Sequence, residues 1–164
     1  MRRATAIAAA GLVLTLLPAN AAWATRTLSA PATASFGVTL NGRDRTVSYP
    51  LPLTAAVTSG SPGGCNLTIR ASRLNGGGGA QLPTPVVTAV GWTCQASCSI
   101  NPSNSVAPPG SVPAAFPSAK FFNAAANTGI GTFTVSPSIT VTIPANARAG
   151  SYTSTVTTAI VAGP

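Results

Sequence analysis

Apolar and polar residues alternate in short runs along most of the chain. Ile139, Val141 and Ile143 are interleaved with Thr140 and Thr142, the period-two pattern of a strand with one face in a core and the other in water. Pro144 ends the run, and residues 145–150 supply the small residues, Asn and Gly that a reversal needs. Residues 152–161 are extended again, with Tyr152, Val156 and Ile160 on one side, so the pattern predicts a terminal hairpin-like pair of strands.

The same reading applied upstream predicts a loose leader over residues 25–35. A first strand then carries Phe36, Val38 and Leu40. Asn41-Gly42 is a hairpin signal, returning through Val47 and Tyr49 to a bend or sheet edge at Pro50 and Pro52. Leu53, Ala55 and Val57 continue the series, residues 58–64 are a loop by composition, and Cys65, Leu67, Ile69 and Ala71 share a face opposite Asn66, Thr68 and Arg70. After the glycine-rich loop at 75–79 comes a strand over 86–94, with Val86, Val90, Trp92 and Cys94 on one side. The Pro-, Ser- and Asn-rich residues 99–118 predict irregular structure with one short extended piece. Phe121, Phe122 and the alanines after them suggest a helical turn, and a strand over 132–135 is expected to break at Pro137. Close-spaced strands with Gly and Pro turns and no sustained 3.6-residue period predict an all-β chain, an antiparallel β-sandwich of Ig-like or Greek-key type.

The N-terminus changes the domain picture. Arg2 and Arg3 precede an apolar run over 4–17, followed by Pro18 and Ala22-Trp23-Ala24, the layout of a secretory signal peptide. The run is shorter than the roughly 20 residues of a spanning helix. Residues 1–24 are therefore expected to be removed, with a second possible cut after Ala21. Residues 25–164 are then one secreted domain, extracellular or associated with a cell wall, with no transmembrane segment. Leu82-Pro83-Thr84-Pro85 lacks the Gly of a sorting signal, so any surface attachment is expected to be non-covalent.

Charge narrows the function classes. Without Arg2 and Arg3, seven basic residues remain against Asp44 alone, a net charge of +6, and the chain has no His and no Glu. A Ser-His-Asp arrangement and paired catalytic carboxylates are both impossible, so no enzymatic activity is expected. No metal site and no cofactor is expected either. Asn75 and the glycines of 76–79 lack the following helix that a phosphate cradle needs. The positive balance favours anionic partners. The basic residues are scattered, with only Arg43/Arg45 and Arg70/Arg73 near each other, so nucleic acid is not expected.

Three cysteines in an exported chain leave one unpaired. Cys94 and Cys98 enclose a three-residue loop. Pairing Cys65 with either would staple two strands across a longer loop and stabilise by about 3 to 4 kcal/mol. A zinc site would have three thiolates and no His, and a buried, inert Cys65 is the remaining reading.

The run V-T-I-P-A-N-A-R-A-G-S-Y-T-S-T-V-T over 141–157, and the segment F-N-A-A-A-N-T-G-I-G over 122–131, resemble the closing part of the WxL and WxL-like surface domains of Gram-positive bacteria, in their actinobacterial branch. The resemblance covers 122–164 in detail and most of the remaining domain in layout. Where the family has Gly-Trp-Asn-Leu, this chain reads Gly64-Cys65-Asn66-Leu67. The distal family motif corresponds to Tyr152, Val156, Thr158, Ile160 and Pro164, with Thr158 at its Trp position. Both signature tryptophans are thus replaced, and Trp92 lies outside both motifs. A cysteine pair in a similar place in the family favours a Cys94–Cys98 disulfide. The resemblance implies a non-catalytic, surface-associated protein that binds peptidoglycan, anionic wall polymers or other surface proteins. Trp92, Arg43, Arg45, Arg70 and Arg73 are the candidate binding surface. The alternative is a self-assembling coat subunit, since Thr-rich strands at an open edge can pair with another chain; the oligomeric state is left open.

Overall fold

The computed structural model describes residues 25–58, 64–95 and 98–163. The expected signal peptide at 1–24, residues 59–63 of the expected loop, and Pro164 lie outside the described residues. In chain order the strands are β1 (Arg26–Ser29), β2 (Arg45–Pro50), β3 (Leu53–Val57), β4 (Cys65–Ala71), β5 (Leu74–Gly76), β6 (Gln81–Leu82), β7 (Val86–Cys94), β8 (Gly110–Ser111), β9 (Ala119–Ala124), β10 (Gly131–Ile143), β11 (Tyr152–Thr153) and β12 (Val156–Ala162). One sheet runs β1-β3-β10-β7-β8 with β2 also on β10, a second runs β12-β4-β9, and a small third runs β11-β5-β6. All the pairings are antiparallel. The all-β sandwich expected from the alternation is the fold observed.

Strand β10 organises the molecule. One edge pairs with β3 over Gly131–Val135 and then with β2 over Ser138–Ile143, while the other pairs with β7. Pro137 does not break this strand as expected. It sits at the changeover from β3 to β2, and its carbonyl accepts the Leu51 N–H at 2.9 Å, so its missing N–H falls where one neighbour ends and the next begins. With both edges of β10 occupied, the final segment cannot pair there, and the expected terminal hairpin does not form. The chain turns at 144–147, where the Ala147 N–H bonds the Pro144 carbonyl at 3.0 Å. It then crosses to the other sheet, and β12 pairs with β4 from Val156↔Ala71 to Ala162↔Cys65.

The core lies between the two larger sheets. Leu53, Ala55, Phe133, Val135, Ile139 and Val87 face Cys65, Leu67, Ile69, Phe122 and Ala124, all buried, and the Phe122 and Phe133 rings lie 5.9 Å apart. A smaller cluster of Leu74, Leu82, Val141 and Ile143 closes the end near the third sheet.

Two register shifts overturn local expectations. Between Ser138 and Ile139 the partner in β7 jumps from Ala89 to Val87, a bulge at Thr88 that reverses the facing of what precedes it. Val87 is therefore the buried residue, whereas Val86 is only half-buried. A second shift between Leu67 and Thr68 leaves Phe121 as the extra residue of β9. Phe121 and Phe122 are both fully buried, in a strand where a helical turn was expected.

Other expectations are also revised. The leader contains β1, paired with β3. Residues 36–40 form no strand, because β2 takes β10 as its ladder partner; Phe36 instead stacks on Tyr49 with centroids 5.1 Å apart. Thr140 was expected in water but is 7% exposed. Hydroxyls from the strands on either side explain this, Ser48 at 2.7 Å and Thr88 at 3.0 Å, while Thr142 is exposed. The glycine-rich loop is a 3-10 turn at Gly77–Gly79 between β5 and β6.

Candidate binding surfaces

The charge distribution begins with the single carboxylate. Asp44 Oδ1 accepts the Ala145 N–H at 2.8 Å, so the only acidic side chain in the sequence pins the 144–147 turn to the start of β2. Arg43 and Arg45 flank it and are exposed, as are Arg73, Lys120 and Arg148. One engaged carboxylate cannot neutralise them, and the surface carries a positive field. The two arginine pairs are separate features, one at the β2 end and one at the β4 end.

Arg70 is half-buried, its guanidinium 4.3 Å from the centroid of the Phe116 ring, a distance suited to cation–π attraction. Phe116 itself is 75% exposed, so Arg70 supports an aromatic ring presented to solvent. On the same outer face of the β12-β4-β9 sheet, Asn66 and Asn123 stand directly opposite each other and are both buried. Asn123 Nδ2 donates to Ser105 Oγ at 3.1 Å. Asn66 Oδ1, Asn123 Oδ1 and Arg70 Nε have no hydrogen-bond partner among the described residues. Sequence patterning did not single out Phe116 or the asparagine pair, because Phe116 lies in a Pro-rich stretch without a period and the asparagines occupy nominally outward positions.

Trp92 lies on the inner face of β7 opposite Val135, half-buried against the main core. Its environment is one of packing, and Phe116 is the ring that the surface displays. The motif positions in β4 and β12 also face inward. Cys65 and Leu67 are fully buried, and Val156, Thr158 and Ile160 are the half-buried residues of β12, alternating with exposed Thr157, Ala159 and Val161.

Cys94 and Cys98 form a disulfide, and Cys65 is a free, buried thiol. Burial pushes the Cys65 thiol above its ordinary value, partly opposed by the nearby Arg26 charge and by a backbone hydrogen bond at Ala124. The neutral thiol is thus favoured in the folded state. Stability arising from it is complete below the unfolded thiol value of 9.0 and is lost as pH rises through the higher folded value. A maleimide reagent at neutral pH is expected to leave Cys65 unmodified in native protein and to label one thiol after denaturation, with Cys94 and Cys98 recovered in one disulfide-linked peptide. Rapid labelling of the native protein would contradict this placement.

A half-open cleft of about 990 Å³ lies beyond the smaller core cluster. Its floor includes Tyr49, Leu51, Leu74, Leu82 and Ile143, one wall is residues 31–40, and the opposite wall is residues 148–154 with Val156 and Thr158. The Tyr152 hydroxyl donates to the Arg148 carbonyl at 2.9 Å, holding that wall in place. Burial raises the Tyr49 hydroxyl above its ordinary value, so it remains a neutral donor at physiological pH. Among the described residues no cluster of His, Cys, Asp or Glu is arranged to hold a metal ion. Among the described residues no helix is long and apolar enough to cross a membrane.

No family model matches the chain, and no curated protein matches it. Among solved structures it is similar to a family 123 glycoside hydrolase from Clostridium perfringens, described for glycolipid glycan hydrolysis. The identity is 20% and the TM-score 0.37, over 70% of this chain and 18% of that one.

Proposed function

We propose that this chain is a secreted, non-catalytic surface protein that attaches non-covalently to the anionic polymers of a cell wall. The observation that carries this reading is the exposure of Arg43, Arg45, Arg73, Lys120 and Arg148 on a chain whose one acidic side chain is Asp44, so that most of this positive charge has no acid side chain to balance it. Long-range attraction to a polyanion follows from such a field. A chain without His or Glu also lacks the commonest group for general acid–base work and any pair of carboxylate side chains. The resemblance of 122–164 to WxL-like surface domains supports the same reading. Co-sedimentation with isolated walls tests it: the protein is expected in the pellet with intact walls and in the supernatant once the anionic polymers have been extracted.

A coat-subunit reading rests on a different observation. Strand β12 lies at the edge of its sheet, and such an edge offers unpaired ladder groups to another chain. Gel filtration separates the two readings, since a monomer at micromolar concentration is incompatible with assembly.

A further inference from the structure

We propose that the cleft between residues 31–40 and 148–158 is a binding site for a single-chain anionic amphiphile, a long-chain carboxylate whose hydrocarbon tail lies on the apolar floor and whose head group meets Arg148. This goes beyond attachment to wall polymers and uses a different part of the molecule.

The first feature is the apolar floor of the cleft. Leu51, Leu74, Leu82 and Ile143 supply branched hydrocarbon, and Tyr49 and Tyr152 add rings. At about 990 Å³ the space falls at the upper end of the roughly 300–1,000 Å³ usual for small-molecule sites. Hydroxyls of Thr33, Ser35, Ser151, Thr153 and Thr158 line the walls above this floor, so the cleft suits an amphiphile, with hydrocarbon against the floor and a polar end toward the walls.

The second is charge complementarity. Among the described residues that line the cleft, Arg148 is the one charged side chain and there is no carboxylate. The Arg148 guanidinium is thus a cation beside the apolar floor, the arrangement that a tail with an anionic head requires.

The third is access. Among the described residues, no backbone–backbone hydrogen bond ties residues 31–43 to the body. This wall is held at its ends by β1 and β2 and along its length by side chains, chiefly Phe36 stacked on Tyr49. Segments held in this way open at low free-energy cost, which gives the tail a way in.

The test uses the fluorescent fatty acid cis-parinaric acid with the full secreted chain. Saturable one-to-one binding is expected, with displacement by dodecanoate and about tenfold weaker displacement by dodecanol. Arg148→Gln should remove that preference for the acid while leaving dodecanol displacement unchanged. Thr158→Trp, which fills the cleft from β12, and Ser151→Trp, which fills it from the facing wall, should each abolish binding in variants whose far-UV spectrum and melting remain native. The proposal is overturned by an absence of saturable binding, by equal displacement with acid and alcohol, or by a folded Ser151→Trp variant that binds as the parent does. It is likewise overturned if the probe fails to bind while the protein dimerises with concentration, since a second copy would then be the occupant.

Discussion

Val135→Asp leaves the protein without a cooperative thermal transition, while Thr142→Asp on the same strand changes stability by no more than about 1 kcal/mol. Val135 is fully buried, paired with Leu53 on one side and Trp92 on the other, at the centre of the main core. A carboxylate there has no cation or donor within the cluster, and an unpaired buried charge costs several kcal/mol. That is comparable to the whole stability of a domain, about 5–15 kcal/mol. Thr142 is exposed on the opposite face of β10, and a carboxylate there remains in water. Near-UV circular dichroism during a thermal melt separates the two. A native melt for Val135→Asp would mean that β10 faces the other way.

Gly64→Ala is the second large effect, expected to cost at least about 3 kcal/mol by denaturant titration. Gly64 has φ +69°, and a Cβ there would collide with the carbonyl oxygens of Ala124 and Ala125, the latter at 2.6 Å. The left-handed backbone alone costs about 1–2 kcal/mol for a residue with a side chain. The collision adds to this because the neighbouring atoms are backbone, at the start of the β4–β9 pairing. Gly91 in β7 is the control: a Cβ there meets nothing within 4 Å, so Gly91→Ala should be neutral or slightly stabilising. Equal losses at the two positions would refute the steric account.

The alternation of Leu53, Ala55 and Val57, of Cys65, Leu67, Ile69 and Ala71, and of Ile139, Val141 and Ile143 shows in sequence which residues enter the core, because each strand keeps one face buried. The partners of those strands are not legible in the same way. Asn41-Gly42 between apolar runs specifies a local hairpin, but β10 offers a longer buried edge to β2 than residues 36–40 could. The bulges at Thr88 and Phe121 shift facing by one residue and have no compositional mark. Of the binding surfaces, the surplus of arginine was legible from counting charges. The ring of Phe116 over Arg70, the buried pair Asn66 and Asn123, and the cleft floored by Tyr49 and Leu82 were not, since each joins residues far apart in the chain.

The central claim, attachment through exposed positive charge, is tested most directly by retention on isolated walls across a salt series. Screening shortens the reach of exposed charges from about 8 Å at physiological ionic strength to about 3 Å at 1 M. The account predicts strong retention at low salt and loss of most of it by 1 M, with charge-neutralising substitutions at Arg43 and Arg45 moving the midpoint to lower salt. Retention that persists undiminished at 1 M, or no retention at any salt concentration, would contradict it.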